Sequence, residues 1–146
     1  MKILITGLSG SGKTTLTKAL IKLIPNCITI NGDTIRENRN DNDFSLNGRL
    51  VQAVRMKNIA GHYKEQILIA DFICPTEETR RIFNADYVIF MNTIKSSQYS
   101  DTDALYETPT KVDVEVRTKD ADNWALLIRA DLRIKFPKLF DIPPKT

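Results

Sequence analysis

Gly7-Leu8-Ser9-Gly10-Ser11-Gly12-Lys13-Thr14 fits the pattern G-x-x-x-x-G-K-[ST], and its surroundings make that pattern a phosphate cradle. The run before it, Lys2 to Thr6, is apolar and β-favouring, while the residues from Thr14 to Leu23 place Leu16, Ala19, Leu20 and Leu23 at helical spacing. A buried strand therefore leads through the loop into a helix. Glycines let successive N–H groups converge on one point, and the positive end of the helix adds to their pull on an anion. Gly7, Ser9, Gly10, Ser11, Gly12, Lys13, Thr14 and Thr15 are accordingly the candidate ATP-binding residues. Lys13 is expected to reach the β- and γ-phosphates, and the Thr14 hydroxyl to ligate Mg²⁺.

At 146 residues the chain has the size of one hydrophobic core, so a single domain over residues 1–146 is expected. The net charge of +3, from 21 Lys and Arg against 18 Asp and Glu, is too small and too evenly spread to argue for a nucleic-acid groove. It suits a protein that binds a polyanionic small molecule. Cys27 and Cys74 lie far apart in apolar runs, in neither a metal nor a disulfide pattern, as expected of core or site-lining thiols in a reducing compartment. His62, the only histidine, is read as surface or packing rather than as part of a Ser-His-Asp triad. No apolar run is long enough to span a bilayer, and residue 1 leads into a core strand, not a signal sequence. A cytoplasmic protein without a membrane partner is the expectation.

Onward, apolar runs alternate with helix-period segments: Cys27 to Ile30, a long polar stretch, a helix from about Leu46 to Lys64, and Gln66 to Ile73. A short helix from Glu77 to Phe83, the runs Tyr87 to Met91 and Val112 to Val116, and a last helix from Ala121 to Ile134 complete the order β-α-β-α-β-α-β-β-α. Short, continuously apolar strands imply burial on both faces. The fold class is therefore α/β, a three-layer sandwich around a mainly parallel five-stranded sheet, the P-loop fold of nucleoside triphosphate hydrolases and kinases. Ligands of such sheets bind beyond the carboxyl ends of the strands. The proline-rich tail, Phe136 to Thr146, is expected to lie along the surface.

The second strand exit, Asn31-Gly32-Asp33-Thr34-Ile35-Arg36, puts a carboxylate and a guanidinium one helical turn apart, close to where the γ-phosphate would lie. Phosphoryl transfer needs a group that orients or deprotonates the attacking hydroxyl and cations that hold anionic reactants in line. Asp33 fits the first role and, with Lys13, makes the candidate catalytic pair; Arg36 can grip an anionic acceptor. Asp33 is also a preferred N-cap residue, and capping and catalysis are compatible. The third exit, Ile69-Ala70-Asp71, has the form of a metal-supporting carboxylate, although a solvated strand end fits its position equally well. Phe72 comes next, where hydrolytic motors carry a carboxylate that activates water, which favours transfer to a bound hydroxyl. There is no Asn-Lys-x-Asp segment to read guanine.

Together, Gly7 to Thr14, Gly32-Asp33-Thr34-Ile35-Arg36, Phe44-Ser45 with Arg49, and Phe72-Ile73-Cys74-Pro75 with Arg80 make the chain, from Met1 to about Phe90, similar to adenylylsulfate kinase. That family uses ATP to phosphorylate the 3′-hydroxyl of adenosine 5′-phosphosulfate. Its patterns read roughly G-L-S-G-S-G-K-[ST], G-D-x-x-R-x-x-x-N, G-F-S-x-x-D-R-x-x-N-x-x-R and F-I-S-P-Y-x-x-x-R. The resemblance implies ATP and Mg²⁺ as cofactors, with Asp33 joining Thr14 as metal-supporting residue. It implies that Arg36 and Arg49 bind a small nucleotide acceptor, that Phe44 stacks on its adenine, and that Ile73 lines the same pocket. A flat purine needs an aromatic face, and a phosphosulfate needs fixed cations. Asn40 and Arg55 match in spacing, and Gln52 stands where the family has Asn and can still present an amide. Family members often pair, so a homodimer is allowed for.

The departures fall on the acceptor side. The segment between Asn40 and Phe44 is one residue short of the pattern, Asp43 replaces Gly, Gly48 replaces Asp, Cys74 replaces Ser and Thr76 replaces Tyr. The family also carries, after its fourth strand, a helical lid containing an R-D-x-K-G-L-Y-like stretch, and nothing like it is present. Here Asn92 to Pro109 is expected to bridge the strands directly, with Lys95 and Tyr106-Glu107-Thr108-Pro109 similar to the stretch beyond the family's lid. A lid excludes water and supplies cations, so Lys95, Arg80 or Arg81 is the expected stand-in. Two alternatives stay open: a P-loop kinase acting on a hydroxyl of another nucleotide or of a nucleic acid, and a nucleotide-binding switch without turnover. The presence of both Lys13 and Asp33 argues against the latter.

Overall fold

In the computed structural model, which describes residues 1–141, the chain runs through β1 (Lys2–Gly7), α1 (Lys13–Ile21), β2 (Cys27–Asn31), α2 (Gly32–Asn38) and α3 (Leu46–Ala60). It continues through β3 (Ile67–Asp71), α4 (Glu77–Phe83), β4 (Tyr87–Met91), α5 (Ser100–Leu105), β5 (Val114–Val116) and α6 (Ala121–Lys135). The expectation for the tail beyond Asp141 lies outside the described residues. All five strands are parallel, in the order β2-β3-β1-β4-β5. β1 is central because Ile3, Leu4 and Ile5 are wholly buried on both faces. Alternation at period two sends Ile3 and Ile5 toward α1 and α6, with Leu16, Leu20, Ile128 and Leu132, and sends Leu4 toward α3 and α4, with Met56 and Phe83. Each such side chain contributes roughly 1.5–3 kcal/mol by leaving water.

Element ends obey local chemistry. α1 stops at Ile21, short of the expected Leu23, as a tightened turn from Leu23 N to Leu20 O leads into Pro25 and a left-handed Asn26 (φ 51°). α3 stops at Ala60, short of Lys64, where a 3₁₀ turn over Gly61–Tyr63 takes over. β2 lies at the sheet edge with Thr29 exposed, so its burial is only partial. The helix expected after Asp33 starts earlier than the sequence suggests, and one further helix goes beyond the expectation. α2 begins immediately at the end of β2, capped by Asn31, whose side chain accepts from Thr34 N at 3.0 Å. α5 lies within Asn92 to Pro109, so that connection is not a direct bridge; its six residues, Ser-Asp-Thr-Asp-Ala-Leu, carry no apolar period to reveal it.

The register aligns the carboxyl ends of the inner strands. Gly7 pairs with Met91 on one side of β1, and Ile5 pairs with Asp71 on the other. The approach at Gly7 is so close that an added Cβ would sit 2.8 Å from both Met91 Cβ and Ser11 Oγ. Gly7→Ala is therefore expected to cost about 1–3 kcal/mol through overpacking. The check is urea denaturation, with a lowered midpoint at unchanged slope.

Candidate active site

The carboxyl ends of the strands and the loop Gly7–Thr14 surround one cleft of about 1280 Å³. Gly10 (φ 81°) and Gly12 (φ 100°) take left-handed conformations that curl the loop, and Gly12 forms the N-cap of α1. Ser9, Gly10, Ser11, Gly12, Lys13, Thr14 and Thr15 line the cleft, with Gly7 buried beneath them. Lys13 Nζ donates to Gly7 O at 3.0 Å and Leu8 O at 2.9 Å. Burial lowers its pKa, against the opposing pull of Asp71 and Asp33. An anion beside this ammonium would remove the penalty.

Asp71 is not a solvated strand end. Only 3% exposed, its Oδ2 accepts from Thr14 Oγ1 at 2.8 Å and from Asn31 Nδ2 at 3.1 Å. The parallel register, which sets Asn31 opposite Asp71, makes the second bond possible. Desolvation raises the Asp71 pKa above the ordinary carboxylate range, and the Thr14 hydrogen bond and Lys13 oppose the rise. Asp33 stands exposed in the first turn of α2 and lines the cleft. Since Asn31 is the N-cap, the Asp33 carboxylate has no capping duty. Thr14, Asp33 and Asp71 offer hard oxygen donors only. Among the described residues no group of three or more His, Cys, Asp or Glu could form a cage. Such a donor set fits Mg²⁺, which keeps several waters and takes one or two carboxylates beside substrate phosphates.

Among the residues expected to bind an acceptor, Arg36 and Arg49 are each 6% exposed, and their guanidiniums lie 4.5 and 5.0 Å from the centroid of the Phe44 ring, itself 50% exposed. Arg36 pairs with Asp41 at 3.5 Å and donates to Asp43 O, yet its Nη2 has no partner. Arg49 has no ion pair among the described residues; its Nη2 donates to Thr102 Oγ1 at 2.6 Å and its Nε is unsatisfied. Burial first, then repulsion from Arg36, pushes its pKa down to about 10. Two buried donors without acceptors, side by side on charged groups, are costly unless an anion completes them.

Two departures from the family pattern prove to be one. A Cβ at Gly48 would lie 2.1 Å from Asp43 O and 2.6 Å from Asp43 Cγ, so the Asp43 side chain fills the room that a side chain at 48 would need. Asp43 also accepts from Ser45 N and Oγ, fixing the entry to α3.

Other expected acceptor residues scatter. Asn40 (φ 52°) and Ile73 line the cleft. The Gln52 amide is engaged underneath, donating to Gly32 O and accepting from Arg55 Nη1. Cys74 is buried in a left-handed conformation (φ 47°), with its thiol pushed up to about 12 by burial; with Gln52 it lines a small pocket behind the cleft. Lys95 is exposed and does not line the cleft, and neither does exposed Arg81. Arg80 is fully engaged in structure, donating to Cys74 O and Pro75 O and pairing with Glu77. None of the three lines the cleft.

Sequence reasoning counted Asn92 to Pro109 among the strand exits without seeing α5 in it, and it missed the wall formed by the β5–α6 loop. Residues 92–107 are tied down at several points, among them Thr93 Oγ1 to Ser11 O, Thr102 to Arg49, Tyr106 OH to Thr6 Oγ1, and Glu107 N to Pro75 O. Tyr99, 52% exposed, and Thr102 line the cleft on this side. Thr118 and Lys119, on the loop between β5 and α6, line it too. No motif marks them; only the exposed aromatic Tyr99 carried a signal.

The family model described as adenylylsulphate kinase matches residues 1–107. APS kinase from Mycobacterium tuberculosis in complex with AMPPNP and APS superimposes with a TM-score of 0.68 at 22% identity, covering 90% of this chain and 96% of that one. A hexameric APS kinase from Thiobacillus denitrificans gives 0.69 at 24% identity, with coverage of 92% and 29%. Shikimate kinase from Aquifex aeolicus gives 0.64 at 16%, with coverage of 92% and 98%. These likenesses show the P-loop kinase fold. No curated protein matches the sequence. Among the described residues, no helix is long and apolar enough to cross a membrane.

Because burial disfavours the charged Asp71, Asp71→Asn is expected to raise the thermal midpoint of the metal-free protein at neutral pH. A raised carboxylate pKa makes the fold relatively more stable as pH falls. The difference between wild type and variant should therefore shrink on acidification toward the ordinary carboxylate range, as followed by thermal melts in a pH series.

Proposed function

The chain belongs to the adenylylsulphate kinase family, and from that premise we propose that it is a phosphotransferase that moves the γ-phosphate of ATP to the 3′-hydroxyl of adenosine 5′-phosphosulfate. The observation that carries the acceptor assignment is the pair of buried, incompletely bonded guanidiniums of Arg36 and Arg49 against the exposed Phe44 ring. They supply fixed cations for a phosphosulfate and an aromatic face for a purine. In this reading the loop amides and Lys13 hold the triphosphate. Asp33 orients and accepts the proton of the attacking hydroxyl. Thr14, positioned by Asp71, and Asp33 would hold Mg²⁺. The bound Mg²⁺ would neutralise charge on the β- and γ-oxygens.

Along the cleft, carboxylates (Asp33, Glu37, Asp41, Asp71, Asp101, Asp120) outnumber the cations Lys13, Arg36, Arg49 and Lys119. That balance speaks for a single nucleotide bound at the arginines over a nucleic-acid strand, whose phosphates would meet like charge. A family member of this kind works in the cytoplasm, and pairing of two copies is compatible with the reading.

The test is ATP consumption by purified protein with Mg²⁺ and adenosine 5′-phosphosulfate, other adenosine nucleotides or single-stranded DNA. Transfer to adenosine 5′-phosphosulfate is expected, with kcat lowered about 10²–10⁴-fold in Asp33→Ala. Arg49→Met is expected to raise the acceptor KM about 30-fold, as losing a charged hydrogen bond of about 2 kcal/mol implies, and to leave ATP binding unchanged. Transfer to another acceptor alone would establish the alternative kinase reading. ATP binding without any transfer would establish a switch.

A further inference from the structure

Arg36 and Arg49 lie against the same aromatic ring, yet the fold holds them by different means. Arg36 is gripped from its own neighbourhood: its Nη1 donates to Asp43 O at 2.9 Å and stands 3.5 Å from a carboxylate oxygen of Asp41. Arg49 has no such carboxylate. Of the N–H donors on its guanidinium, only Nη2 meets a hydrogen-bond acceptor among the described residues, the Thr102 hydroxyl at 2.6 Å. That bond is buried and joins α3 to α5 across 53 positions of sequence. The like charge of Arg36 meanwhile pushes against Arg49. Thr102 is thus the polar group that fixes where the Arg49 guanidinium sits.

The anchor is itself held on both sides. Thr102 is 7% exposed. Before it, Ser97 N and Oγ donate to the Asp103 carboxylate at 2.7 and 2.6 Å; after it, Tyr106 N donates to Thr102 O at 3.0 Å, and Tyr106 OH meets Thr6 Oγ1 at 2.9 Å. A neutral hydroxyl suits this position better than an acid would. A carboxylate would hold the guanidinium firmly but cancel its charge, and an arriving anion would have to displace it. A hydroxyl orients the group and leaves its charge whole. Arg49 Nε has no partner, and the Thr102 hydroxyl, which accepts from Arg49, donates to nothing among the described residues. Both residues line the same cleft. The pair therefore presents a fixed and uncompensated cation.

We propose that Thr102 is a positioning residue for acceptor binding: its hydroxyl holds the Arg49 guanidinium beside Phe44 without neutralising it, so that the charge stays available to an anionic group of the acceptor. The proposal rests on the reading of Arg36, Arg49 and Phe44 as the acceptor site. It adds to that site a residue of the β4–β5 connection, which acts through Arg49 and not on the reacting atoms. Support of this kind is what keeps a long side chain in its binding geometry before the ligand arrives.

The test measures, by calorimetry, binding of adenosine 5′-phosphosulfate and separately of ATP with Mg²⁺ to wild type and variants, with thermal midpoints without ligand as the folding control. Thr102→Val keeps the shape and removes the hydroxyl; it is expected to weaken adenosine 5′-phosphosulfate about 10-fold and ATP less than about 2-fold. Thr102→Ser, which retains the hydroxyl, should bind both within about 2-fold of wild type. Thr102→Asp, which still accepts from Arg49 but neutralises it, should weaken adenosine 5′-phosphosulfate at least as much as the valine does, with no fall in the midpoint. In an Arg49→Met background the valine should cost less than about 2-fold, because the group it positions is gone, whereas a general loosening of α5 would persist there. Wild-type affinity in Thr102→Val or Thr102→Asp, no rescue by serine, or the same loss repeated in the Arg49→Met background would overturn the proposal. If Arg49→Met alone loses affinity while Thr102→Val does not, the acceptor reading stands without it. If wild type fails to bind adenosine 5′-phosphosulfate, or Arg49→Met binds it as wild type does, both fall together.

Discussion

The parallel pairing of β1 with β3 on one side and β4 on the other carries the whole cleft. It brings the end of β1, where the phosphate loop starts, level with Asp71 and Met91, and the Gly7 to Met91 approach leaves no room for a Cβ. One further pairing, Asn31 with Asp71, brings the start of α2 to the same level. Thr14, Asn31 and Asp71 then share a hydrogen-bonded junction, and Asp33 lies two residues beyond Asn31. A slip of one residue in either ladder would send these side chains to the opposite face of the sheet.

The site holds charge under strain of burial. Desolvation lowers the pKa of Lys13, Arg36 and Arg49 and raises that of Asp71, so every one of these groups is held against its preferred state. Perturbation of this kind concentrates at functional sites because preorganised charge acts most strongly where water is excluded. The orphaned donors on Arg36 and Arg49 belong to the same pattern. They are unfavourable for folding and favourable for capturing an anion.

The connection from β4 to β5 forms one wall of the cleft. Thr93 touches the phosphate loop and Thr102 touches Arg49, so residues between them span from that loop to the buried arginine. Arg80, an expected cation for that region, instead bonds the carbonyls of Cys74 and Pro75 and anchors the segment's far end, where its guanidinium lies 5.1 Å from the Tyr106 ring centroid. Asp43 occupies the room that a side chain at Gly48 would need and places a carboxylate near enough to Arg36 to stabilise its charge.

The amino-acid sequence alone determined the layered α/β fold and the phosphate loop, because apolar period and glycine spacing act over a few residues and leave a direct imprint. It also pointed to Asp33 and Arg36, at the exit of β2, and, through the family resemblance, to Phe44 and Arg49; all four line one cleft. Only the tertiary structure decided what depends on distant partners. Asp71 became a buried junction through Thr14 and Asn31, and Gln52 became a support for Gly32. α5 acquired helical form without an apolar stripe, and Lys119 reached Gly10 from the last third of the chain. Hydrogen bonds and desolvation between residues far apart in sequence have no local period, so they are settled only when the sheet sets its strands side by side.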